Sequence, residues 1–164
     1  MFINQKISTE IYKMKFNLFL IFLALTTLMS CGESYLVEET TKFENQIWNN
    51  QNMVSYTFDN KDTTKRYSLY LDVAYNEDYY YQNIYVKIYT KYPSGKEIAD
   101  QVGIDLAEKS GKSNGTCSSG TCTVPIVLVE NVKLQELGKH TFTFEQFTRD
   151  EDLEGMKKLT FKIK

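Results

Sequence analysis

Residues 67–75 alternate in polarity, and this pattern limits the folds that the chain can adopt. Large apolar side chains such as Leu69 and Val73 occupy every second position, and Ser68 and Asp72 lie between them. A period of two residues is typical of a β-strand that buries one face and exposes the other. The segment therefore predicts a long strand in a sheet with one buried face, and it disfavours a helix there.

Shorter segments repeat the alternation, and the composition agrees with them. The chain contains 12 tyrosines and 10 phenylalanines but only 2 prolines, and aromatic residues favour pleated surfaces. We predict an all-β domain over residues 43–164, a single β-sandwich of seven or eight mostly antiparallel strands. A short helical turn is predicted near residues 150–155. The other alternating segments are residues 53–58, 84–89, 140–144 and 159–163.

The N-terminal region has the layout of a bacterial secretory signal. Lys13 and Lys15 flank the start of an apolar run at residues 16–25, and Leu-Met-Ser-Cys closes the region at residues 28–31. A positive start before a short apolar stretch is typical of a signal peptide. The closing sequence resembles the lipobox of bacterial lipoproteins. We therefore predict a signal peptide at residues 1–30 and lipidation of Cys31.

Two alternatives apply to this region. An uncleaved transmembrane anchor would need about 20 apolar residues in a row, and the run at residues 16–25 is shorter. Residues 1–13 are interpreted as an upstream extension, because Met14 opens a signal of ordinary proportions. Residues 31–42 are then the lipidated N-terminus and a polar tether that leads away from the bilayer.

Cleavage before Cys31 leaves 134 residues, which is the length of one domain. These residues include 16 basic and 20 acidic side chains without a basic stripe, so nucleic acid is disfavoured as a partner. More than one acyl chain at the cysteine would hold the domain durably at a membrane. We predict a domain outside the cytoplasm that sits on the inner or the outer membrane without spanning it.

Cys117 and Cys122 form an even pair once Cys31 is lipidated. They lie five positions apart in a loop rich in Gly and Ser, and exported chains favour disulfides. Free thiols and a metal site are the alternatives. Zinc takes four ligands, and the chain has no second cysteine pair nearby and one histidine in total. We predict a disulfide that closes a small loop, and no metal or cofactor.

Tyr79, Tyr80 and Tyr81 follow one another directly after an acidic turn. Three consecutive side chains in a turn do not all point into one core, so at least one is expected to face solvent. Exposed aromatic rings stack on sugars or dock a partner protein. The alternative is that two of the tyrosines pack over the edge of the sheet and the third is half exposed.

The sequence contains no pattern that indicates catalysis. His140, the only histidine, alternates with Phe142 and Phe144, which predicts a structural position in a strand. The carboxylates of residues 59–78 fall in turns and on polar faces, and no pair suggests acid and base roles. We predict that the chain is not an enzyme.

The order of several segments resembles the GldH family, the gliding-motility lipoproteins of Bacteroidota. The resemblance extends over nearly the whole chain after Cys31 and is best in its C-terminal part. Family members tend to have a Gly-rich stretch with an Asp where this chain has residues 115–122. The matching segments are Trp48 and residues 54–58, 62–64, 67–71, 83–85, 92–96, 138–146, 149–150 and 153–156.

This resemblance implies a cell-envelope lipoprotein that serves gliding, a motility linked to the type IX secretion apparatus. It implies contacts with other envelope proteins of the gliding machinery, no known enzyme activity and no established ligand. The rival hypothesis is a carbohydrate-binding surface lipoprotein that uses residues 79–81.

Overall fold

The computed structural model describes residues 34–164, and almost all of its regular structure is β-strand. Three of the eleven strands are only three residues long, and the remaining eight agree with the seven or eight strands predicted. The predicted signal peptide and Cys31 lie outside the described residues. The strands are β1 (Val37–Lys42), β2 (Ile47–Asn49), β3 (Val54–Asn60), β4 (Tyr67–Asn76), β5 (Asn83–Lys91), β6 (Glu97–Asp105), β7 (Thr116–Ser118), β8 (Thr121–Val132), β9 (Gly138–Gln146), β10 (Asp152–Glu154) and β11 (Met156–Ile163).

Two sheets form the β-sandwich that the alternating segments predicted. One has five strands in the order β1-β11-β4-β8-β7, and the other has four in the order β3-β9-β5-β6. Strands β2 and β10 form a small third sheet. Every strand pairing within residues 34–164 is antiparallel. Residues 34–164 contain no helix of the length and hydrophobicity that crossing a bilayer requires.

Aromatic side chains join the two sheets in the core. Phe161 of β11 lies between rings of the facing sheet, with centroid distances of 5.4 Å to Tyr56, 5.1 Å to Phe142 and 5.7 Å to Phe144. All four side chains are buried. Alternate residues of each strand point inward, so the two-residue period puts these rings in one layer. Burial of aromatic surface on this scale is the main stabilising contribution to such a core.

The strand connections gather at two opposite ends of the sandwich. We call residues 34–36, 61–66, 92–96 and 133–137, together with Lys164, the N-terminal end. We call residues 43–53, 77–82, 106–115, 119–120 and 147–155 the tyrosine end. Strand β4 runs from one end to the other, and its ten residues span roughly 33 Å at about 3.3 Å per residue.

The structure differs from two expectations about local elements. The predicted tether extended to residue 42, but β1 begins at Val37 and pairs along its whole length with β11. Its sequence has no clear alternation because β1 is an edge strand with mostly exposed side chains. The helical turn predicted near residues 150–155 is wrong, since this segment contains strand β10. Pairing of β10 with β2 buries Leu153 opposite Trp48.

Candidate functional site

The three consecutive tyrosines lie at the tyrosine end and have different surroundings. Tyr80 is 88% exposed, Tyr81 is 42% exposed, and Tyr79 packs against the core. The rings of Tyr79 and Tyr81 are 5.9 Å apart and those of Tyr80 and Tyr81 are 5.2 Å apart, both edge to face. Perpendicular rings do not form a flat platform, so the three tyrosines together are poorly suited to stack on one sugar.

Tyr79 belongs to the packing of the fold. Its ring lies 5.6 Å from that of the buried Tyr75, and a Cβ atom on Gly155 would lie 3.2 Å from its Cδ2. Its hydroxyl is buried and has no hydrogen-bond partner among the described residues. Burial raises the pKa of Tyr79 well above the usual range, and the Tyr81 phenol and the Asp150 carboxylate add to the effect. Tyr79 therefore stays neutral and fixes the base of the segment that presents Tyr80 and Tyr81.

A groove of about 750 Å³ opens beside Tyr81 on the outer side of the four-stranded sheet. Its walls include Tyr85 of β5, which is 52% exposed, and Phe147, which is 48% exposed. A Cβ atom on Gly103 would lie 3.4 Å from Cε1 of Tyr85, so the tyrosine ring rests against the bare backbone of β6. The ammonium group of Lys87 lies 3.5 Å from the centre of the Phe147 ring. Gln101, Arg149 and Asp150 add polar groups to the lining.

Gln146 holds the loop that forms one wall of the groove. Its side chain is buried and donates hydrogen bonds to the carbonyl oxygens of Asp150 and Glu151 at 2.9 and 2.8 Å. Its own amide oxygen accepts from the backbone and hydroxyl of Thr148 at 2.9 and 2.7 Å. Phe147 extends the strand pairing by donating its N–H to the Tyr85 carbonyl at 2.7 Å. The groove wall is thus fixed to the sheet by hydrogen bonds at both its start and its end.

The Tyr81 hydroxyl donates a short hydrogen bond to the Asp150 carboxylate. This hydrogen bond raises the pKa of the Tyr81 phenol, because it favours the protonated form next to a negative charge. The bond also joins the 77–82 segment to the 147–155 segment across the mouth of the groove. The groove is therefore lined by two exposed rings, Tyr85 and Phe147, and by a tied pair of polar side chains.

Cys117 and Cys122 lie directly opposite each other in the β7–β8 hairpin and are joined by a disulfide, with their Cα atoms 4.0 Å apart. The hairpin turns through Ser119 and Gly120, whose φ angles of 50° and 72° fit a type I′ turn. A hollow of about 440 Å³ next to the disulfide is lined by Tyr79 and Tyr81 among others. The disulfide hairpin and the two tyrosines thus line one hollow, and Tyr81 lines the groove as well.

His140 is fully buried on the inner face of β9, as its alternation with Phe142 and Phe144 predicted. Its Nδ1 lies 3.1 Å from the carbonyl oxygen of Gly138, and its ring lies 5.5 Å from that of Tyr92. His140 lies near the start of β9, whereas the groove lies beside the segment that follows this strand. Within residues 34–164, no three or more His, Cys, Asp or Glu side chains are grouped to hold a metal ion.

Comparison with known proteins identifies the family. The family model described as GldH lipoprotein matches residues 35–163, which is almost the whole described sandwich. The chain belongs to the GldH lipoprotein family. A gliding motility lipoprotein GldH homolog of Christiangramia forsetii is 27% identical over 155 residues, covering 90% of this chain and 94% of that protein. The gliding motility lipoprotein GldH of Flavobacterium johnsoniae is 24% identical over 151 residues, covering 88% of this chain and 93% of that protein.

The groove of this GldH-family protein was not predicted from the sequence. The alternation at residues 84–89 does indicate that Tyr85 points outward, opposite the buried Ile84 and Val86. Nothing in the sequence indicates that Phe147 lies beside it, because the two are 62 positions apart and meet through the pairing of β5 with β9. The sequence pattern therefore predicts exposed aromatic rings at the tyrosine end but not the groove beside them.

Proposed function

We propose that this GldH-family protein is a lipid-anchored, non-catalytic component of the gliding machinery in the cell envelope. The observation that supports it is the match of the family model across the whole sandwich. Lipid at Cys31 would attach the domain to a membrane, and other envelope proteins of the machinery, linked to the type IX secretion apparatus, would bind it. Both named relatives are gliding motility lipoproteins.

The tyrosine end is the surface that we propose for those partner contacts. It combines the exposed ring of Tyr80 with the groove beside Tyr85 and Phe147. Aromatic side chains are enriched where proteins bind one another. The loop that contains Phe147 is held by the buried Gln146, so the groove is formed before a partner arrives and little ordering cost is added on binding.

The test is single-cell gliding in the native host after Cys31→Ala and after deletion of the gene. We expect deletion to abolish rapid gliding, and Cys31→Ala to do the same while the protein still accumulates. Intact mass of the purified wild-type protein reports whether Cys31 is acylated. Normal gliding after deletion would contradict the motility role, and normal gliding with Cys31→Ala alone would contradict a need for the anchor.

The partner surface is tested in the same assay with Tyr85→Ala combined with Phe147→Ala. We expect slower gliding with an unchanged amount of protein, because the two exposed rings of the groove are lost. Thr57→Ala combined with Thr141→Ala is a matched control, since these side chains pair across β3 and β9 on the same outer face, farther from the tyrosine end. Equal gliding of both double variants would exclude the groove.

Carbohydrate binding is a second candidate, and the packing of Tyr85 favours it. Its ring rests on Gly103 and leaves the other side exposed, and Gln101, Arg149 and Asp150 offer hydrogen bonds to hydroxyl groups. We expect any binding of residues 32–164 to a glycan panel to be lost in Tyr85→Ala and retained in Tyr80→Ala. Absence of binding to every glycan would reject this candidate without affecting the motility role.

A further inference from the structure

We propose that the N-terminal end of the sandwich is a membrane-contact surface that recognises anionic lipid headgroups. The inference rests on the lipid attachment at Cys31 that is part of the proposed function. It adds an orientation, in which the N-terminal end faces the bilayer and the tyrosine end points away from it. The reach of the chain, the distribution of charge and two exposed apolar side chains support this orientation.

The reach of the chain limits the distance between this end and the lipid. Four peptide units separate Cys31 from Tyr35, and a fully extended chain covers at most about 14 Å over that length. From Tyr35 onward the chain is fixed to the fold. Leu36 donates its N–H to the Ile163 carbonyl at 2.7 Å, and the Tyr35 ring lies 6.2 Å from that of Tyr70. The N-terminal end is therefore held close to the membrane that contains the lipid.

Formal charge is distributed unequally between the two ends. The segments of the N-terminal end include six basic and two acidic side chains, whereas those of the tyrosine end include three basic and eight acidic ones. The described residues as a whole are mildly acidic, so the basic surplus is a local property. The six basic residues are Lys61, Lys65, Arg66, Lys96, Lys133 and Lys164.

Most of this positive charge faces solvent without a carboxylate in ion-pair contact. Lys61 pairs with Asp59 at 2.5 Å, but no carboxylate of residues 34–164 lies within ion-pair distance of Lys65, Arg66, Lys96 or Lys133. The two acidic side chains of this end are occupied locally. Asp62 accepts from Thr64 at 2.8 and 2.6 Å, and Glu136 accepts from Ser94 at 2.8 and 2.9 Å. Lys65, Arg66, Lys96 and Lys133 therefore present positive charge that no carboxylate of residues 34–164 pairs with directly.

Two large apolar side chains protrude from the same end. Leu36 is 64% exposed and Leu137 is 61% exposed. Basic side chains next to exposed apolar ones are typical of surfaces that lie in the headgroup region of a membrane. The loop that presents Leu137 is fixed to its neighbours, because Glu136 accepts from Ser94 and Asn60 donates to the carbonyl oxygens of Leu134 and Glu136. Leu36 is held separately, by its N–H bond to the Ile163 carbonyl.

The test measures which end approaches the bilayer in the lipidated, full-length protein reconstituted in nanodiscs. One fluorophore is attached at Leu137→Cys or at Tyr80→Cys, since Cys117 and Cys122 are bonded to each other. Spin-labelled headgroups serve as quenchers in nanodiscs with and without phosphatidylglycerol. We expect strong quenching at position 137, more with the anionic lipid, and weak quenching at position 80. Equal quenching at both positions would overturn the proposal.

Charge reversal tests the chemistry. We expect Lys65→Glu combined with Arg66→Glu and Lys133→Glu to remove the extra quenching at position 137 that the anionic lipid produces. Lys109→Glu combined with Lys112→Glu, at the tyrosine end, is the matched control and should leave it unchanged. If the triple variant kept the extra quenching that the anionic lipid produces, recognition of anionic headgroups would be overturned. Absence of quenching at both positions would indicate that this end contacts a protein and not the bilayer, and it would overturn the proposal as well.

A parallel measurement distinguishes failure of the predicted lipid anchor from failure of the membrane-contact proposal. If intact mass shows no acyl group on Cys31, the same protein is sedimented with vesicles of phosphatidylglycerol and with vesicles of phosphatidylcholine. Each basic residue contributes about fivefold to binding of an anionic membrane. The triple variant at positions 65, 66 and 133 lacks three of them, so its partition coefficient should be lower than that of the wild type by about a hundredfold or more. Binding with this loss supports the surface independently of the anchor, and absence of binding to phosphatidylglycerol overturns it.

Discussion

At the scale of single residues, Asn60 satisfies polar groups of β4 and of the β8–β9 connection. Its buried amide donates to the carbonyl oxygens of Leu134 and Glu136 at 3.1 and 2.9 Å, and it accepts from the Tyr67 hydroxyl at 2.8 Å. Both sheets and the β8–β9 connection meet at this side chain. A buried polar group without its partner costs about 1–3 kcal/mol.

We expect Asn60→Ala to lower the free energy of unfolding by about 2–4 kcal/mol, because it leaves the Tyr67 hydroxyl and two carbonyl oxygens without their partner. Urea denaturation measures the change. Asn52→Ala is the control, since that side chain is exposed and should change stability by about 0.5 kcal/mol or less. Similar losses in the two variants would contradict the role of Asn60.

Gly155 and Gly95 allow backbone strain to be separated from packing. Their φ angles are 89° and 87°, so alanine is strained at both positions. A Cβ atom at Gly155 would meet Tyr79 at 3.2 Å, whereas a Cβ atom at Gly95 meets nothing within 4 Å. We expect Gly155→Ala to destabilise more than Gly95→Ala, by about 1 kcal/mol or more in urea denaturation. Equal destabilisation would mean that Tyr79 moves aside freely.

Residue-level prediction from the sequence succeeded where a pattern repeats and failed where a contact is distant. The burial of His140 followed from its alternation with Phe142 and Phe144. Asn60 lies between Asp59 and Lys61, and this local sequence indicates a turn. Its partners lie 74 and 76 positions away, and no local pattern indicates them.

At the scale of elements, the disulfide fixes a hairpin that the sheet already aligns. The chain-entropy model assigns about 2 kcal/mol to a loop this short. We expect Cys117→Ser with Cys122→Ala to lower the free energy of unfolding by about that amount or less, with the rest of the fold retained. Hydrogen exchange should change mainly in β7 and in the first residues of β8. Loss of protection throughout the five-stranded sheet would contradict this local role.

The two cysteines are not equivalent, and single variants test that difference. Cys122 is buried in the core, whereas Cys117 is exposed. We expect Cys122→Ser to destabilise more than Cys117→Ser, because both lose the bond but only the first places a hydroxyl in the core. Thermal unfolding under reducing and oxidising conditions provides the comparison. The reverse order would indicate that the hydroxyl at position 122 finds a hydrogen-bond partner.

Element-level prediction depended on burial. Strand β4 was predicted because alternate side chains on it are buried, which produces the period of two. Strands β1, β2, β7 and β10 were missed because they are exposed or only three residues long. Their pairing is decided by distant strands rather than by their own residues, and such pairing leaves little trace in a local sequence.

At the scale of the whole molecule, buried phenols make stability depend on alkaline pH. Burial raises the pKa of Tyr56 and of Tyr67, and it raises that of Tyr79 further. The folded protein therefore retains these protons at a pH where the unfolded chain, with tyrosine pKa values of about 10, releases them. The contribution of these phenols to the free energy of unfolding is fully present below pH 10. Above pH 10 it falls, by at most about 1.4 kcal/mol per pH unit for each phenol.

We expect urea denaturation between pH 9 and pH 11.5 to show this fall, with the tyrosinate absorbance of the buried phenols appearing together with unfolding. Tyr79→Phe should make the fall shallower. It should also stabilise the protein at pH 8 by up to about 1 kcal/mol, since it removes a buried hydroxyl without a partner. A flat profile up to pH 11.5 would contradict the pKa shifts.

The candidate site was predicted only in part, for a reason that belongs to the whole fold. Exposure of a tyrosine within residues 79–81 follows from three rings in one turn. The groove needs β5, β6 and the segment after β9 side by side, and the order β3-β9-β5-β6 is not readable from the alternation alone. Sequence pattern shows which face of a strand is outward but not which strands are neighbours.

The last strand along the chain is an inner strand of the five-stranded sheet. Strand β11 lies between β1 and β4, so the first and the last described strands are hydrogen-bonded neighbours. Until the residues from position 156 onward are in place, β1 has no partner and one edge of β4 is unpaired. For the exported lipoprotein that we propose, we therefore expect the sandwich to close only after its C-terminal residues have crossed the membrane, which would keep the chain open enough to pass through a translocation channel.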